Sequence, residues 1–473
     1  MLKLINNNEL IFVEEMLSVI FDQKYAKKII KGFFDNQFLK AIGYYQKQQL
    51  IAVLIYQRIF DEIEIEVIAV VNDRRRLGYG QKLFDYMLSI EKDLLFIRLE
   101  VNVKNSKALS FYQKNDFQII RKRNAYYDNQ DDAYEMLKKV KKMKKIIAIE
   151  SSCDETACAI VDEGYNVLSG VVTSQIDVHR RFGGVIPEVA SRMHVEQIST
   201  IVSECLNNAS LTMKDIDYVA YTVGPGLIGS LHIGAIAAKT LSFFYDKPLI
   251  GVHHLKGHIF VNQLVEPLKF PLIAMVVSGG HTELVLMKDS DSYEIIGTTL
   301  DDAIGEAYDK VARVLGMEYP GGPKIDQAAS RGKPNYSLPT PKVDGYNFSF
   351  SGLKNATIQL VNKLERNNQE INKDDLAYAF QETALNILVS KTIKAVQEYN
   401  IELVVLAGGV ACNSRLRELA QNEIAKYCHV MVPPMKFTTD NAVMIGCAAV
   451  NELKHQHFVG LDKMSMPSMP IDE

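Results

Sequence analysis

Residues 272–287 read LIAMVVSGGHTELVLM: an apolar run, a Ser278-Gly279-Gly280-His281-Thr282 turn, and a second apolar run from Leu284 to Met287. Short apolar runs bounded by glycine read as buried strands, so the stretch predicts a hairpin with a small, polar, open turn. Residues 146–161, IIAIESSCDETACAIV, repeat the design: a strand from Ile146 to Ser151, a Ser152-Cys153-Asp154-Glu155-Thr156 turn, and a returning strand from Ala157 to Val161. Two equivalent hairpins in one chain imply two duplicated lobes. Turns of this kind, facing each other across a cleft, bracket the phosphates of a nucleotide with backbone N–H donors.

Working outward, further glycine signals fall at strand ends. Gly224-Pro225-Gly226 follows Tyr218 to Val223, Gly408-Gly409 follows Leu403 to Ala407, and Tyr319-Pro320-Gly321-Gly322-Pro323 is the third such turn; a helix is expected over Asp301 to Leu315. Ligands of open α/β sheets bind at the carboxyl ends of strands, so these turns line one crevice. The pattern is similar to the two-lobed architecture of actin, Hsp70 and the sugar kinases.

In V-H-H-L-K-G-H, His254 and His258 are four residues apart and share one helical face, the spacing of a two-imidazole metal grip, while His253 points elsewhere. An i, i+4 histidine pair also occurs in ordinary packing, and a metal needs a third ligand.

Upstream, Lys138 to Lys145 reads KKVKKMKK, a basic run without apolar period between two strand-like segments. It divides the chain into residues 1–140, a linker at 141–145 and a unit at 144–473 whose lobes span about 144–265 and 270–460. A chain of 473 residues exceeds what one core usually serves. The 47% apolar and 23% charged fractions are globular, no stretch has the length of a membrane span, and no signal peptide pattern opens the chain, so a soluble cytoplasmic protein is expected. Six cysteines without a C-x-x-C pair predict free core thiols rather than disulfides or a zinc knuckle. The net charge of -4 leaves any RNA contact to a local patch. The last residues, Met464 to Glu473, lack periodicity and read as loose.

In residues 1–140, Leu50 to Tyr56 and Ile63 to Val71 read as strands, the second alternating Ile63, Ile65, Val67 against Glu62, Glu64, Glu66. Arg75-Arg76-Leu77-Gly78-Tyr79-Gly80 then leads into Leu83, Phe84, Met87, Leu88 and Ile90 at helical spacing. Such a turn, with its bared N–H groups and two arginines, suits a pyrophosphate, though glycine turns before helices often merely connect. A strand from Phe96 to Val101, then Asn105 and a helix through Ala108, Leu109, Phe111 and Tyr112 toward Phe117, follow. Together, V-x-x-x-R-R-x-G-x-G and N-x-x-A-L-x-F-Y-x-x-x-x-F resemble the GNAT N-acetyltransferases. Leu99-Glu100-Val101 and the Arg121 to Tyr127 stretch, RKRNAYY, are similar to the ribosomal-protein N-terminal alanine acetyltransferases. The resemblance implies acetyl-CoA bound by Val70, Arg75, Arg76, Gly78, Gly80 and Asn105. It also implies Glu100 as general base, Tyr112 as the acid for the departing thiolate, and a ribosomal protein N-terminus as acceptor. Without it, Glu100 reads as a wet strand face and Tyr112 as a core aromatic. One departure is Asp116, where the family carries glycine; Asp tolerates φ > 0 at some strain.

The second unit carries I-E-S-S-C-D-E-T-A, G-G-V-I-P-E-V-A-S-R-x-H, H-H-L-K-G-H, V-S-G-G-H-T-E-L, Y-P-G-G-P-x-I-D, F-S-F-S-G-L-K, A-G-G-V-A-C-N-S-x-L-R and T-D-N. These resemble the tRNA threonylcarbamoyladenosine transferases (TsaD in bacteria) over nearly all of 144–460. The resemblance implies a divalent metal, iron(II) or zinc, held by His254, His258 and Asp440. It places threonylcarbamoyl-AMP against Val276, Val277, Ser278, Gly279, Gly280, Asp309, Gly322, Asp326 and Asn413, with Asp154 and Glu155 near the reacting centre. It implies tRNA as acceptor and TsaB-like, TsaE-like and TsaC-type proteins as partners. On the residues alone, Asp309 reads as an exposed helical acid and Asn413 as a helix N-cap. Ala442-Val443 after T-D-N departs from the family's Gly-Ala. A zincin protease would need Glu directly after the first histidine, where Leu255 stands. A small-molecule kinase or a non-catalytic assembly subunit has no use for the His254, His258, Asp440 set. The fold class expected is thus α/β: a GNAT fold followed by an actin/Hsp70-like (ASKHA) domain with duplicated lobes.

Overall fold

The structure, a computed structural model, describes every residue except 22, 37, 48, 92–93, 128–130, 141–142 and 473; the side chains of 7, 34 and 35 are also outside the description. Two residues of the expected linker, 141 and 142, thus lie outside the described residues. The chain divides into two compact units, Met1–Lys142 and Met143–Glu473.

The first unit is built on a seven-stranded sheet in the order Leu2–Leu4, Leu39–Gln46, Gln49–Ile59, Glu62–Val70, Phe96–Asn102, Ala133–Lys139, Gln118–Arg123. Strict alternation in Glu62–Val70 puts Ile63, Ile65 and Val67 inside and the glutamates outward. The helix Tyr79–Ile90 lays Leu83, Phe84 and Met87 against Leu54, Tyr56 and Ile63. Each fully buried side chain of this size contributes about 1.5–3 kcal/mol. Glu62–Val70 and Phe96–Asn102 run parallel only from Glu62↔Phe96 to Ile65↔Leu99. The next residues, Glu66 and Glu100, therefore stand where the two strands part.

In the second unit, two five-stranded sheets share one strand order. The first runs Val167–Ser174, Glu155–Asp162, Lys145–Glu150, Tyr218–Gly224, Leu249–His253; the second runs Glu294–Thr298, Thr282–Met287, Leu272–Val277, Leu403–Ala407, His429–Met431. In each, the first three strands in sequence form an antiparallel meander and the last two lie parallel to the first. Both expected hairpins form, with Ile146 opposite Val161 and Leu272 opposite Met287. The duplication is topological as well as sequential.

The outer face of the first sheet is covered by helices Pro187–Asn208 and Ile228–Tyr245, and that of the second by Ile304–Val314, Gly321–Ala329, Ser351–Arg366 and Lys373–Tyr399. Between the sheets, one core joins Ala148 and Val252 of the first sheet to Ala274 and Val405 of the second through helices His254–Phe260 and Ala442–Lys454. The last helix therefore serves the inner face of the first lobe's sheet, rather than closing a second lobe that runs to residue 460. Its all-round apolar sequence suits burial on every side.

Two other expectations are corrected. The helix expected from Asp301 starts at Ile304, because the Asp301 carboxylate accepts the N–H groups of Phe350 (2.8 Å) and Ser351 (3.2 Å) from another segment. The tail is not loose. Met466 N–H donates to Val223 O at 2.8 Å, His253 Nε2 to Met469 O at 2.9 Å, and Ile471 is buried. The tail approaches Gly224 so closely that a Cβ there would stand 1.9 Å from Met466 O, which accounts for the glycine. The six cysteines are free. Among the described residues no helix is long and apolar enough to cross a membrane.

Candidate functional site

His254–Phe260 begins at the carboxyl end of the strand Leu249–His253, where His253 Nδ1 accepts the Leu255 N–H at 3.1 Å and caps the helix. One turn of helix then aligns His254 and His258, their rings 4.8 Å apart and nearly perpendicular. Asp440, just before the helix Ala442–Lys454, closes the set: its Oδ1 is 3.4 Å from His254 Nε2 and 3.2 Å from His258 Nε2. Two donors held about 2.1 Å from one tetrahedral ion lie about 3.4 Å apart, so the set fits a divalent transition metal.

Behind His254 sits Glu150, wholly buried at the end of the strand Lys145–Glu150 and 3.3 Å from His254 Nδ1. Ser152 N–H and the Thr222 hydroxyl also donate to it. With Nδ1–H given to Glu150, the Nε2 lone pair faces the Asp440 carboxylate, and two acceptors so placed call for a cation between them. Burial disfavours a charge on His254, but Asp440 and Glu150 outweigh it and hold the imidazolium pKa well above the ordinary value. Burial would raise Glu150 and Asp440, yet His254 holds both below the usual carboxylate range. At His258 burial wins and the pKa falls. A metal would thus take the place of the His254 proton.

Asp154 lies in the first hairpin turn and Glu155 opens the returning strand Glu155–Asp162. Burial first, then Asp440 and Asp154, push Glu155 well above the carboxylate range, so Glu155 is within electrostatic reach of Asp440. In the second hairpin, Val276 and Val277 are buried strand residues paired to Glu283 and Thr282, and only Ser278–Gly280 opens outward. The Ser278 hydroxyl accepts the Gly280 and His281 N–H groups at 3.3 and 3.0 Å, and there is empty space beside Gly279 and Gly280.

Asp309 is half-buried rather than exposed, and accepts the Gly321 N–H at 2.7 Å at the start of helix Gly321–Ala329. Burial raises its pKa, against the opposing N–H groups of Gly321 and Gly322. Asn413 caps helix Ser414–Asn422 through Leu416 N–H at 2.8 Å. Its amide also donates to Gln381 Oε1 at 2.8 Å, and Gln381 Nε2 donates to Asp326 at 3.1 Å. Asp326 accepts the Ser414 N–H at 2.9 Å as well. Gln381 therefore ties two predicted ligand contacts together from the long helix Lys373–Tyr399.

In the first unit, Arg75 Nε donates to Val70 O at 3.1 Å, and Arg75 to Gly78 form an exposed turn before helix Tyr79–Ile90. Gly78 is its left-handed N-cap at φ 80°. Asn105 caps helix Ser106–Lys114, its side-chain oxygen accepting the Ala108 N–H at 3.1 Å. Glu100 pairs with Arg123 at 2.7 Å. A bond to Glu100, then burial, push Tyr126 up to about 12. Tyr112 is buried, which raises its pKa, with Tyr127 and Tyr25 nearby. The turn at Asp116 adopts φ 65°, as its position in place of glycine predicts.

Comparison with known proteins decides the family. The profile of the tRNA N6-adenosine threonylcarbamoyltransferase family, TsaD, matches residues 166–447. The enzyme of that name from Bacillus subtilis is 53% identical over 307 residues, 64% of this chain and 89% of that protein. The one from Staphylococcus saprophyticus is 54% identical over 306 residues, 64% and 90% of the two chains. The chain belongs to the TsaD family. Its first unit carries a GNAT acetyltransferase domain, whose profile matches residues 35–119. Solved structures similar to that unit include Ard1 from Thermoplasma volcanium (23% identity, 30% of this chain and 97% of the other, TM-score 0.26). Another is the ribosomal-protein-S18-alanine N-acetyltransferase from Escherichia coli (20% identity, 30% and 94%, TM-score 0.26).

Within this TsaD-family chain, sequence reasoning missed Glu150, Ser152 and Gln381. Glu150 left one signal, a carboxylate ending an otherwise apolar strand. Gln381, on a helix buried along much of its length, left none.

Proposed function

We propose that the second unit transfers the threonylcarbamoyl group of threonylcarbamoyl-AMP to the exocyclic N6 of the adenosine 3′ of the anticodon in tRNAs reading A-starting codons. The observation that carries this is the convergence of His254, His258 and Asp440 on one point, backed by Glu150, in a chain of the TsaD family. In the reaction the amine nitrogen forms a bond to the carbamoyl carbon, the bond from that carbon to the phosphate oxygen breaks, AMP departs and a proton leaves N6.

Iron(II) or zinc held by His254, His258 and Asp440 would supply Lewis acidity toward a phosphate or carbonyl oxygen. The open Ser278–Gly280 turn offers main-chain surface to the phosphate. Asp309, Gly322, Asp326 and Asn413 hold the nucleoside, the last two braced by Gln381. Asp154 and Glu155 handle the proton, with burial and then the neighbouring carboxylates favouring the protonated form of Glu155. TsaB-like and TsaE-like proteins and a TsaC-type supplier of the adenylate are the partners, and the cytoplasm is the proposed location.

The first unit, by its L-E-V and RKRNAYY motifs, acetylates the N-terminal alanine amine of a ribosomal protein from acetyl-CoA, with Glu100 as base and Tyr112 as acid. Incubating an Ala-starting ribosomal peptide with acetyl-CoA and the full chain should release CoA thiol, and Glu100→Gln should reduce kcat without changing acetyl-CoA affinity. For the second unit, unmodified tRNA, threonylcarbamoyl-AMP and the partner proteins should yield threonylcarbamoyladenosine by nucleoside mass spectrometry. The product should vanish with His254→Ala; no product from the unaltered chain sinks the assignment.

A further inference from the structure

A cavity of about 380 Å³ lies between the loop after helix Ile176–Arg180 and the segment from Asp309 to Gly321, lined by Arg180, Arg181 and Arg313. The loop is built rigidly from below. His179 is fully buried, its Nε2 bonded to Gln175 Oε1 at 3.2 Å and its Nδ1 accepting the Ile186 N–H at 3.3 Å. Two bonds fasten the loop of the first lobe to the second lobe: Arg313 to Gly183 O at 2.6 Å and Arg180 to Tyr319 O at 3.4 Å. Both guanidinium groups thus spend donors on neutral carbonyls. Among the described residues neither Arg181 nor Arg313 is in an ion pair, and Arg180 meets only the exposed Asp177 at 3.2 Å. Of the two carboxylates in the wall, Glu318 and Asp309, the latter is turned to the Gly321 N–H. Asp177, Glu318 and Asp309 match the three arginines in number, but of these only Asp177 forms an ion pair with one of them, so Arg181 presents its charge without a paired carboxylate among the described residues.

Beside this charge, Phe182 is 58% exposed between Arg181 and Gly183. A rigid loop that presents arginine and an unpacked aromatic ring side by side suits a single-stranded nucleic acid, with the guanidinium on a phosphate and the ring under a splayed base. The position also fits: Asp309 and Gly321 line the same cavity and are hydrogen-bonded to each other at 2.7 Å, so it adjoins residues proposed to hold the nucleoside.

We propose that Arg181 and Phe182, with the Arg180–Arg313 cavity behind them, form the seat for the RNA acceptor's loop, Arg181 binding a backbone phosphate and Phe182 stacking on a base. This rests on the tRNA reading above and names the part of the chain that grips the RNA.

The test is binding of an unmodified tRNA transcript to the full chain across a salt series. Arg181→Ala should weaken binding about fivefold to tenfold and lower the slope of log affinity against log salt by about 0.7–0.9, with Arg181→Lys restoring the slope. Phe182→Ala should weaken binding about tenfold with the slope unchanged. Metal content and threonylcarbamoyl-AMP binding should be unaltered in all three. Binding by the unaltered chain that neither alanine substitution weakens overturns this inference alone, as does loss of binding to a partner protein with tRNA affinity intact. No tRNA binding by the unaltered chain, either alone or with the partner proteins present, overturns the functional reading as well.

Discussion

Glu150, fully removed from solvent, lies 3.3 Å from His254 Nδ1, on the side of the imidazole opposite Asp440. It cannot touch a metal held at Nε2, yet it decides which nitrogen carries the proton and how basic the other becomes. It is a positioning residue for the candidate metal centre.

Glu150→Gln should therefore lower metal affinity by about 10- to 100-fold, read by competition with a chromogenic chelator, while the fold persists in circular dichroism. A change under twofold would mean that the carboxylate only satisfies the Ser152 and Thr222 donors.

Metal affinity should also depend on pH. Without metal, His254 binds a proton between two carboxylates with its pKa raised, so below that pKa a metal must displace one proton. Affinity should then rise about tenfold per pH unit through the range below the raised pKa. A flat profile between pH 6 and 7 would place the proton elsewhere.

Glu283 is raised to about 7, first by burial and then by Asp472, and its Oε2 is buried without a partner. An acid whose folded pKa lies above its unfolded one stabilises while protonated. That contribution is present below the unfolded value and is lost as pH rises through about 7, by at most about 3 kcal/mol. Glu283→Gln should match the unaltered chain in thermal melts at pH 5 and exceed it at pH 8. Equal melting temperatures at pH 8 would show that the carboxylate ionises freely.

Asp116 holds a left-handed φ of 65°, and its contact with Lys138 at 3.2 Å is solvent-exposed. Such an ion pair contributes little. Asp116→Ala should destabilise the first unit by about 1 kcal/mol, whereas Asp116→Gly should not, by calorimetry of its transition. Equal losses would assign the effect to the lost side chain instead of the backbone.

The local features of this chain were legible in its residues. Apolar runs flanking short polar turns became the two hairpins, alternation along Glu62–Val70 named its buried face, and the i, i+4 spacing of His254 and His258 put both rings on one helical face. Each depends on periods of two or four residues, which neighbours in sequence set by themselves. Tertiary packing alone decided the rest. Asp440 reaches His258 from 182 positions away and Glu150 reaches His254 from 104. The Gln381 bridge between Asp326 and Asn413, the return of helix Ala442–Lys454 to the first sheet, and the docking of the aperiodic tail likewise have no local signature. These contacts exist because two duplicated sheets must bury their inner faces on shared helices, and the segments that meet there are chosen by that packing.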